Sequence, residues 1–378
     1  MSAHEGRQPI RILAIAGTRP EAIKLAPLVL EARWRPAIDL TFVGTGQHEA
    51  LFLDALAPLG IAPDAMLDLA HDGSIDGLAA AIRAAMAALL AAHRPDLVLV
   101  QGDTTTAWAA ALAAHRTGIP VAHVEAGLRS GNPDLPWPEE RNRREIDAVA
   151  DLLFAPTPES AANLEREQVP GAIHLTGNSG IDALLLLRDK IATQAREPGP
   201  RRILATCHRR ENQGAPLVQV AAAIRRLAVL PDVEITVALH PNPAAGEALR
   251  QLLGGTRRIR LSPPMGYLDM LAALASADLV LSDSGGLQEE CPALGIPLLI
   301  LRDSTERPEA IASGNARLVG TDPDRIVAES TRLLDDPHAH AAMSRPALPF
   351  GDGHAAGRML TLIEHFAPRE RDRTALFG

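Results

Sequence analysis

The sequence predicts two doubly wound α/β domains in tandem, each with the Rossmann-like order of strand and helix. Three observations predict this. Short aliphatic runs alternate with longer helical stretches. The runs are apolar at successive positions, as in strands buried on both faces of a parallel sheet. The alternation pauses near Arg196-Glu197-Pro198-Gly199-Pro200-Arg201 and then restarts, dividing 378 residues into two halves of ordinary domain size.

The elements follow in order. Ile10 to Ala16 is a strand that ends at Gly17, and Glu21 to Arg33 is the helix after it. Leu40 to Val43 is the next strand. Leu78 to Ala92 is rich in Ala and Leu and long enough for a helix. Leu97 to Val100 follows Pro95, and a polar turn leads to the helix Ala107 to Arg116. Val121 to Val124 follows Pro120. After the pause, Ile203 to Thr206, Ile235 to Leu239, Leu279 to Leu281 and Leu298 to Leu301 are strands. Gly357 to Ala367 reads as a last helix. The expected divisions are 1–177, 178–356, and a C-terminal helix in 357–378 that packs back on the first domain. Right-handed crossovers make each sheet parallel. Ligands then gather at the carboxyl edges of the strands, and a cleft between two such domains is the default site.

Composition removes several classes of function. The net charge is −9, so there is no overall basic face for nucleic acid. Aromatic residues are 3% of the chain, too few for base-stacking platforms. Cys207 and Cys291 stand far apart, with no zinc spacing and no disulfide scaffold. No histidine pair has metal-ligand spacing. No apolar run is expected to reach the ~18 residues of a membrane span, and Ile12 to Ala16 is too short for a signal-peptide core. The reading is a cytoplasmic protein with no membrane partner.

The polar turns after the strands carry the chemistry. Gly17-Thr18-Arg19-Pro20-Glu21 is neither a dinucleotide fingerprint nor a Walker A loop. Arg19 can clamp a phosphate, with Lys24 one turn further on; the other reading is an exposed basic pair at a helix start. Gln101-Gly102-Asp103-Thr104-Thr105-Thr106 sets a carboxylate before three threonines. Asp103 is a functional acid or a helix cap. His123-Val124-Glu125 puts an ionisable Glu at the end of a buried strand, which is costly unless it is paired or used. Pro136-Trp137-Pro138-Glu139 opens a helix, where the macrodipole favours an acid for structural reasons alone. Asp103, Glu125 and Glu139 together suit proton transfer. In the second half, Ser282-Asp283-Ser284-Gly285-Gly286 joins a strand to a helix N-terminus, an arrangement that binds phosphate. Glu290 lies one turn into that helix, placed to accept from ribose hydroxyls. Arg302 to Glu309 is a charged loop, either functional or merely solvated. The residues describe a nucleotide-sugar enzyme without a dinucleotide, and they leave the reaction open.

The motifs resemble a family. Gly17-Thr18-Arg19-Pro20-Glu21-Ala22-Ile23-Lys24, the Gly102 to Thr106 turn, His123-Val124-Glu125-Ala126-Gly127-Leu128-Arg129, Pro138-Glu139-Glu140, His208-Arg209-Arg210-Glu211, Asp283-Ser284-Gly285-Gly286 and Thr305-Glu306-Arg307-Pro308-Glu309 look like the non-hydrolysing UDP-N-acetylglucosamine 2-epimerases, in the family's order. Ala148, Cys207 and Met270 depart from the family pattern. The resemblance implies a GT-B fold. It implies interconversion of UDP-GlcNAc and UDP-ManNAc through a 2-acetamidoglucal, with no metal and no cofactor. Carried over by position, Asp103, Glu125 and Glu139 are the acid/base candidates, with Lys24 and His208 as polar partners. Arg19, Ser284, Gly285, Gly286 and Glu290 hold the UDP. Gln47, His48, Arg209 and His240 match parts of a site where a second UDP-GlcNAc activates bacterial members. The family also implies a homodimer.

Three other readings compete. A hydrolysing 2-epimerase shares the fold and most of the acids, and releases UDP and free ManNAc. A GT-B glycosyltransferase needs an acceptor. A nucleotide-sugar sensor has no use for three positioned carboxylates.

Overall fold

The first strand pairs in parallel with two neighbours, Ile12 opposite Leu40 on one side and opposite Leu97 on the other. That register builds one sheet around a buried strand. The computed structural model describes residues 8–46, 49–191, 199–207, 209, 212–240 and 243–366. The chain divides into two units, one running to Leu186 and resuming at Phe350, the other spanning Leu187–Pro349.

The first unit has seven strands: β1 (Ile10–Ala16), β2 (Ile38–Gly44), β3 (Ala65–Met66), β4 (Leu97–Gln101), β5 (Val121–Val124), β6 (Leu152–Ala155) and β7 (Ala172–Leu175). Their order is β3-β2-β1-β4-β5-β6-β7. The intervening helices are α1 (Arg19–Ala32), α2 (Glu49–Leu56), α3 (Ile75–His93), α4 (Thr105–Arg116), α5 (Glu139–Asp147), α6 (Pro158–Arg166) and α7 (Ser179–Leu187). Side chains alternate across each strand, so each strand feeds two cores. Ile12, Ala14 and Leu99 pack toward α1; Leu13, Ile15, Val98 and Val100 pack toward α3 and α4.

The second unit has β8 (Arg201–Thr206), β9 (Val233–Ala238), β10 (Ile259–Ser262), β11 (Leu279–Ser282), β12 (Leu298–Ile300) and β13 (Ala316–Leu318). Their order is β10-β9-β8-β11-β12-β13. Its helices are α8 (Ala215–Leu227), α9 (Pro243–Leu253), α10 (Tyr267–Ser276), α11 (Gly285–Leu294), α12 (Pro308–Ala312), α13 (Pro323–Asp335) and α14 (Pro337–Met343). The chain then returns to the first unit. There α15 (Ala355–Glu364) sets Met359, Leu360 and Ile363 into the core beside α1. Arg35 ties it down through Thr361 Oγ1 at 2.9 Å and the Gly357 carbonyl at 3.0 Å.

All the strand pairs are parallel, so the Rossmann-like two-domain arrangement of the GT-B class stands. Five strands are not singled out in the sequence: the interior β6, a short apolar run of four residues, and β3, β7, β10 and β13. The last four lie at sheet edges, where a strand can carry polar residues and need not be an unbroken apolar run. One expectation is corrected. By length and composition α3 is apolar enough to cross a membrane, with mean hydropathy 1.7 over 18 residues. Alanine is responsible. Leu78, Ile82, Met86 and Leu90 pack into the core, while Ala80, Ala84, Ala87 and Ala88 are exposed.

Candidate active site

Parallel pairing brings the ends of β1, β4 and β5 side by side. The turns that follow them share one edge of the first sheet, at the point where strand order reverses. Gly17 allows the first two turns to touch. A Cβ there would stand 2.2 Å from Thr106 Oγ1 and 2.8 Å from Thr45 Oγ1, so any larger residue would force the turns apart.

Three titratable groups on this edge come from different elements. Lys24, on the second turn of α1, forms an ion pair with Glu125, and each residue is 8% exposed. Gln101, the last residue of β4, donates to the same Glu125 oxygen at 2.6 Å. Glu125 itself has φ of 71°, a left-handed conformation that costs a side-chain-bearing residue energy. The strain is held by the Phe154 carbonyl, which accepts from the amides of both Glu125 and Ala126 at 3.1 Å.

Asp103 is half-buried in the turn after β4. Its carboxylate accepts from Arg143, and its backbone carbonyl accepts from Asn142 Nδ2 at 2.9 Å. Both partners lie on α5, which is thereby docked on the turn. The two glutamates that open α5 have different surroundings. Glu140 is fully buried and accepts from the Ser130 amide at 3.1 Å, with Arg143 and Arg144 at 3.2 and 3.3 Å. Glu139 is partly exposed at the first helical position.

Beneath these groups lies a buried tie. His123 Nδ1 is 2.7 Å from Asp147, and Nε2 is 2.8 Å from the Gly102 carbonyl oxygen. Burial alone would raise the Asp147 pKa, but His123 and Arg129 outweigh it and hold the carboxyl below its ordinary value. The tie anchors Gly102, the residue before Asp103.

In the second unit, β8, β11 and β12 are neighbours. Ser284 is the N-cap of α11, and Gly285 begins the helix. A Cβ on Gly285 would stand 2.8 Å from Arg307 Nη1 and 3.1 Å from Arg209 Nη2. Two guanidiniums therefore lie against the positive end of a helix, an anion site by geometry and field. Carboxylates orient them. Glu306 accepts from Arg307 at 2.5 Å and Arg302 at 2.8 Å, and Glu289 accepts from Arg307 at 2.6 Å. Buried Asp283 accepts from the Arg209 amide at 2.9 Å. Glu290 accepts from the Tyr267 hydroxyl at 3.1 Å. Among the described residues no three His, Cys, Asp or Glu side chains gather as a metal site.

A family model described as UDP-N-acetylglucosamine 2-epimerase matches residues 31–364. The chain belongs to the UDP-N-acetylglucosamine 2-epimerase family. A curated family member from Escherichia coli (strain K12) is 41% identical over 371 residues, covering 94% of this chain and 99% of the relative. One from Bacillus subtilis is 40% identical, covering 98% and 99%. The UDP-GlcNAc 2-epimerase of Neisseria meningitidis, solved bound to UDP-GlcNAc, superposes with TM-score 0.90 at 36% identity, covering 94% and 99%. The Methanocaldococcus jannaschii enzyme, solved with UDP-GlcNAc and UDP, gives 0.82 at 30%, covering 94% and 100%.

Of the residues carried over from the family, Asp103, Glu125, Lys24 and Arg19 fall on turns or helix starts at the carboxyl edge of the first sheet, and Glu139 opens α5. Ser284, Gly285, Gly286 and Glu290 lie together on the first turns of α11. His208, Gln47 and His48 lie outside the described residues. Arg209 stands at the α11 N-terminus, and His240 follows β9 half-buried. Sequence reasoning assigned no role to Glu21, Gln101, His123, Arg143, Asp147 or Arg307. Glu21, His123, Arg143 and Arg307 sit inside or beside the quoted motifs, and that position was the available signal.

Proposed function

We propose that this chain interconverts UDP-GlcNAc and UDP-ManNAc at carbon 2 and keeps the intermediate bound. The observation that carries the reading is the buried Lys24–Glu125 pair beside Asp103, on one edge of the first sheet. Two acids at one edge, one of them held charged by a buried cation, fit the removal and delivery of a weakly acidic proton.

In the forward direction a carboxylate removes the proton from carbon 2. The carbon–hydrogen electron pair becomes the carbon 1–carbon 2 double bond, and the carbon 1–oxygen bond breaks with UDP taking its electrons. UDP then re-adds to carbon 1, and a proton is delivered to the opposite face of carbon 2. Asp103, Glu125 and Glu139 share the proton transfers. The second unit holds the departing diphosphate. There Arg209, Arg307 and the α11 N-terminus meet charge that grows as the bond breaks. Glu290 is assigned to the ribose hydroxyls. The reading includes a cytoplasmic homodimer, tested by sedimentation, and activation by a second UDP-GlcNAc at Arg209 and His240, tested by sigmoidal kinetics.

Proton NMR with UDP-GlcNAc in heavy water tests the reaction. The expected result is a new UDP-ManNAc anomeric signal with deuterium entering carbon 2. Free UDP and ManNAc without UDP-ManNAc would assign the hydrolysing reaction instead. No change would leave an acceptor-dependent transferase.

A further inference from the structure

We propose that Glu21 is a positioning residue that couples the turn carrying Arg19 to the turn carrying Asp103. The inference rests on the epimerase reading, because those two turns are given work by it.

Glu21 occupies the third position of α1, where a glutamate commonly reaches back to the backbone of the N-cap. In an ordinary capping box the carboxylate lies near solvent and serves one helix. Here it is 0% exposed and serves two. Oε2 accepts from the amides of Gly17 and Thr18 at 3.1 and 2.7 Å. Oε1 accepts from the Thr104 hydroxyl at 2.7 Å. Thr104 is in turn the N-cap of α4, where its Oγ1 accepts from the Ala107 amide at 3.0 Å. One carboxylate thus joins the caps of the helices that follow two adjacent strands. Arg19 is the residue after Thr18, and Asp103 is the residue before Thr104.

The residue type follows from the donors. Two N–H groups and one O–H point at the side chain, and a carboxylate accepts all three. A glutamine offers one oxygen to the amides and must donate to Thr104 Oγ1, reversing that bond. An alanine leaves the two amides in a water-poor site, where an unmet donor is costly. The packing of Gly17 against Thr106 leaves the turns little room to adjust.

The bond pattern is also sensitive to charge. Burial pushes the Glu21 carboxyl up to about 7, against the bonds from Thr104, Thr18 and Gly17. In the protonated form one oxygen becomes a donor, and the bond to Thr104 must turn round. The charged groups on neighbouring elements are Arg19 on the same turn and Lys24 further along α1 with Glu125. Asp103 on the β4 turn, paired with Arg143 of α5, completes them.

The test is steady-state kinetics on UDP-GlcNAc with wild type, Glu21→Ala, Glu21→Gln, Thr104→Val and the double variants. UDP affinity is measured by calorimetry. E21A is expected to lower kcat by ~10- to 100-fold, as displaced catalytic groups do, and to weaken UDP binding as well, because the displaced turn also carries Arg19. T104V is expected to give a loss that does not add to that of E21A, because the two variants break the same coupling. E21Q is expected to lose less than E21A, and to lose the inflection near pH 7 that wild-type kcat shows. The proposal is overturned by wild-type kcat in E21A, by additive losses, or by an E21Q profile that keeps the inflection. Should E21A not fold, the E21Q, T104V and E21Q/T104V set decides by the same additivity and pH criteria. If wild type does not interconvert the two sugars, the epimerase reading fails and takes this proposal with it. Wild-type turnover with additive losses defeats the coupling alone.

Discussion

Lys24 on α1 and Glu125 in the turn after β5 are 101 residues apart in sequence and form a buried ion pair. The pair holds a negative charge at low exposure beside Asp103, in a backbone conformation that glutamate adopts only when its surroundings insist.

Lys24→Met removes the cation and leaves Glu125 with Gln101 as its neutral donor. Breaking one side of a buried pair costs about 3–5 kcal/mol. Urea unfolding is expected to show a loss of that order. Turnover is expected to fall by ~100-fold or more, as the loss of a proton-transfer partner does. Unchanged kcat would remove Lys24 from the chemistry.

Asp103→Asn keeps the shape of the turn and its carbonyl bond to Asn142. It removes the charge facing Arg143. The expected effect is a drop of ~10²- to 10⁴-fold in kcat, the usual contribution of a general acid or base. Calorimetric UDP affinity stays close to wild type, because the residues assigned to UDP are Arg19, Ser284, Gly285, Gly286 and Glu290, and Asp103 is not among them. Wild-type turnover would defeat the assignment of Asp103.

Gly285→Ala places a methyl group 2.8 Å from the Arg307 guanidinium and 3.1 Å from that of Arg209. These are ends of flexible side chains, so they move and the helix stays. The melting temperature should change little. UDP affinity should fall by ~10-fold, about 1.4 kcal/mol of lost charge-assisted bonding. Affinity equal to wild type would show that the two guanidiniums do not meet the diphosphate.

Glu21→Gln separates stability from pH. The rise of the Glu21 carboxyl from 4.5 to about 7 is worth about 3 kcal/mol. Across that interval the folded protein keeps a proton that the unfolded chain has released. Wild-type stability from this group therefore falls as pH rises from 4.5 to about 7, then levels off. E21Q has no such proton. Its stability relative to wild type is expected to increase from pH 4.5 to about 7, by up to about 3 kcal/mol. Chemical denaturation at several pH values measures it; a constant difference would place the Glu21 pKa near its ordinary value.

The strands legible in sequence are mostly the central ones. Ile10–Ala16 and Val121–Val124 are read to the residue, because a strand covered on both faces is apolar at most of its positions. At the sheet edges β10 (Ile-Arg-Leu-Ser) and β13 (Ala-Arg-Leu) need no such run, and the apolar signal fades. Asp103 and Glu125 are visible because an acid directly after a buried strand calls for a reason. Arg143 and Glu21 are not, since a charge on a helix is ordinary until its partners are known. The two glutamates at 139 and 140 look alike in sequence; only packing makes one a buried tie and the other a partly exposed acid.

By itself, the sequence determined the alternation of strand and helix, the two-domain α/β class, the turns that hold the acids and the glycines, and the family to which their order belongs. These are local properties: apolar runs, helix starts and the spacing of polar residues along the chain. Tertiary structure decided the pairings: Lys24 with Glu125, Arg143 with Asp103, Arg307 and Arg209 against Gly285, and one Glu21 carboxylate across two helix caps. Strand order decides which turns are neighbours, and burial decides how strongly neighbouring charges and hydrogen bonds act on one another.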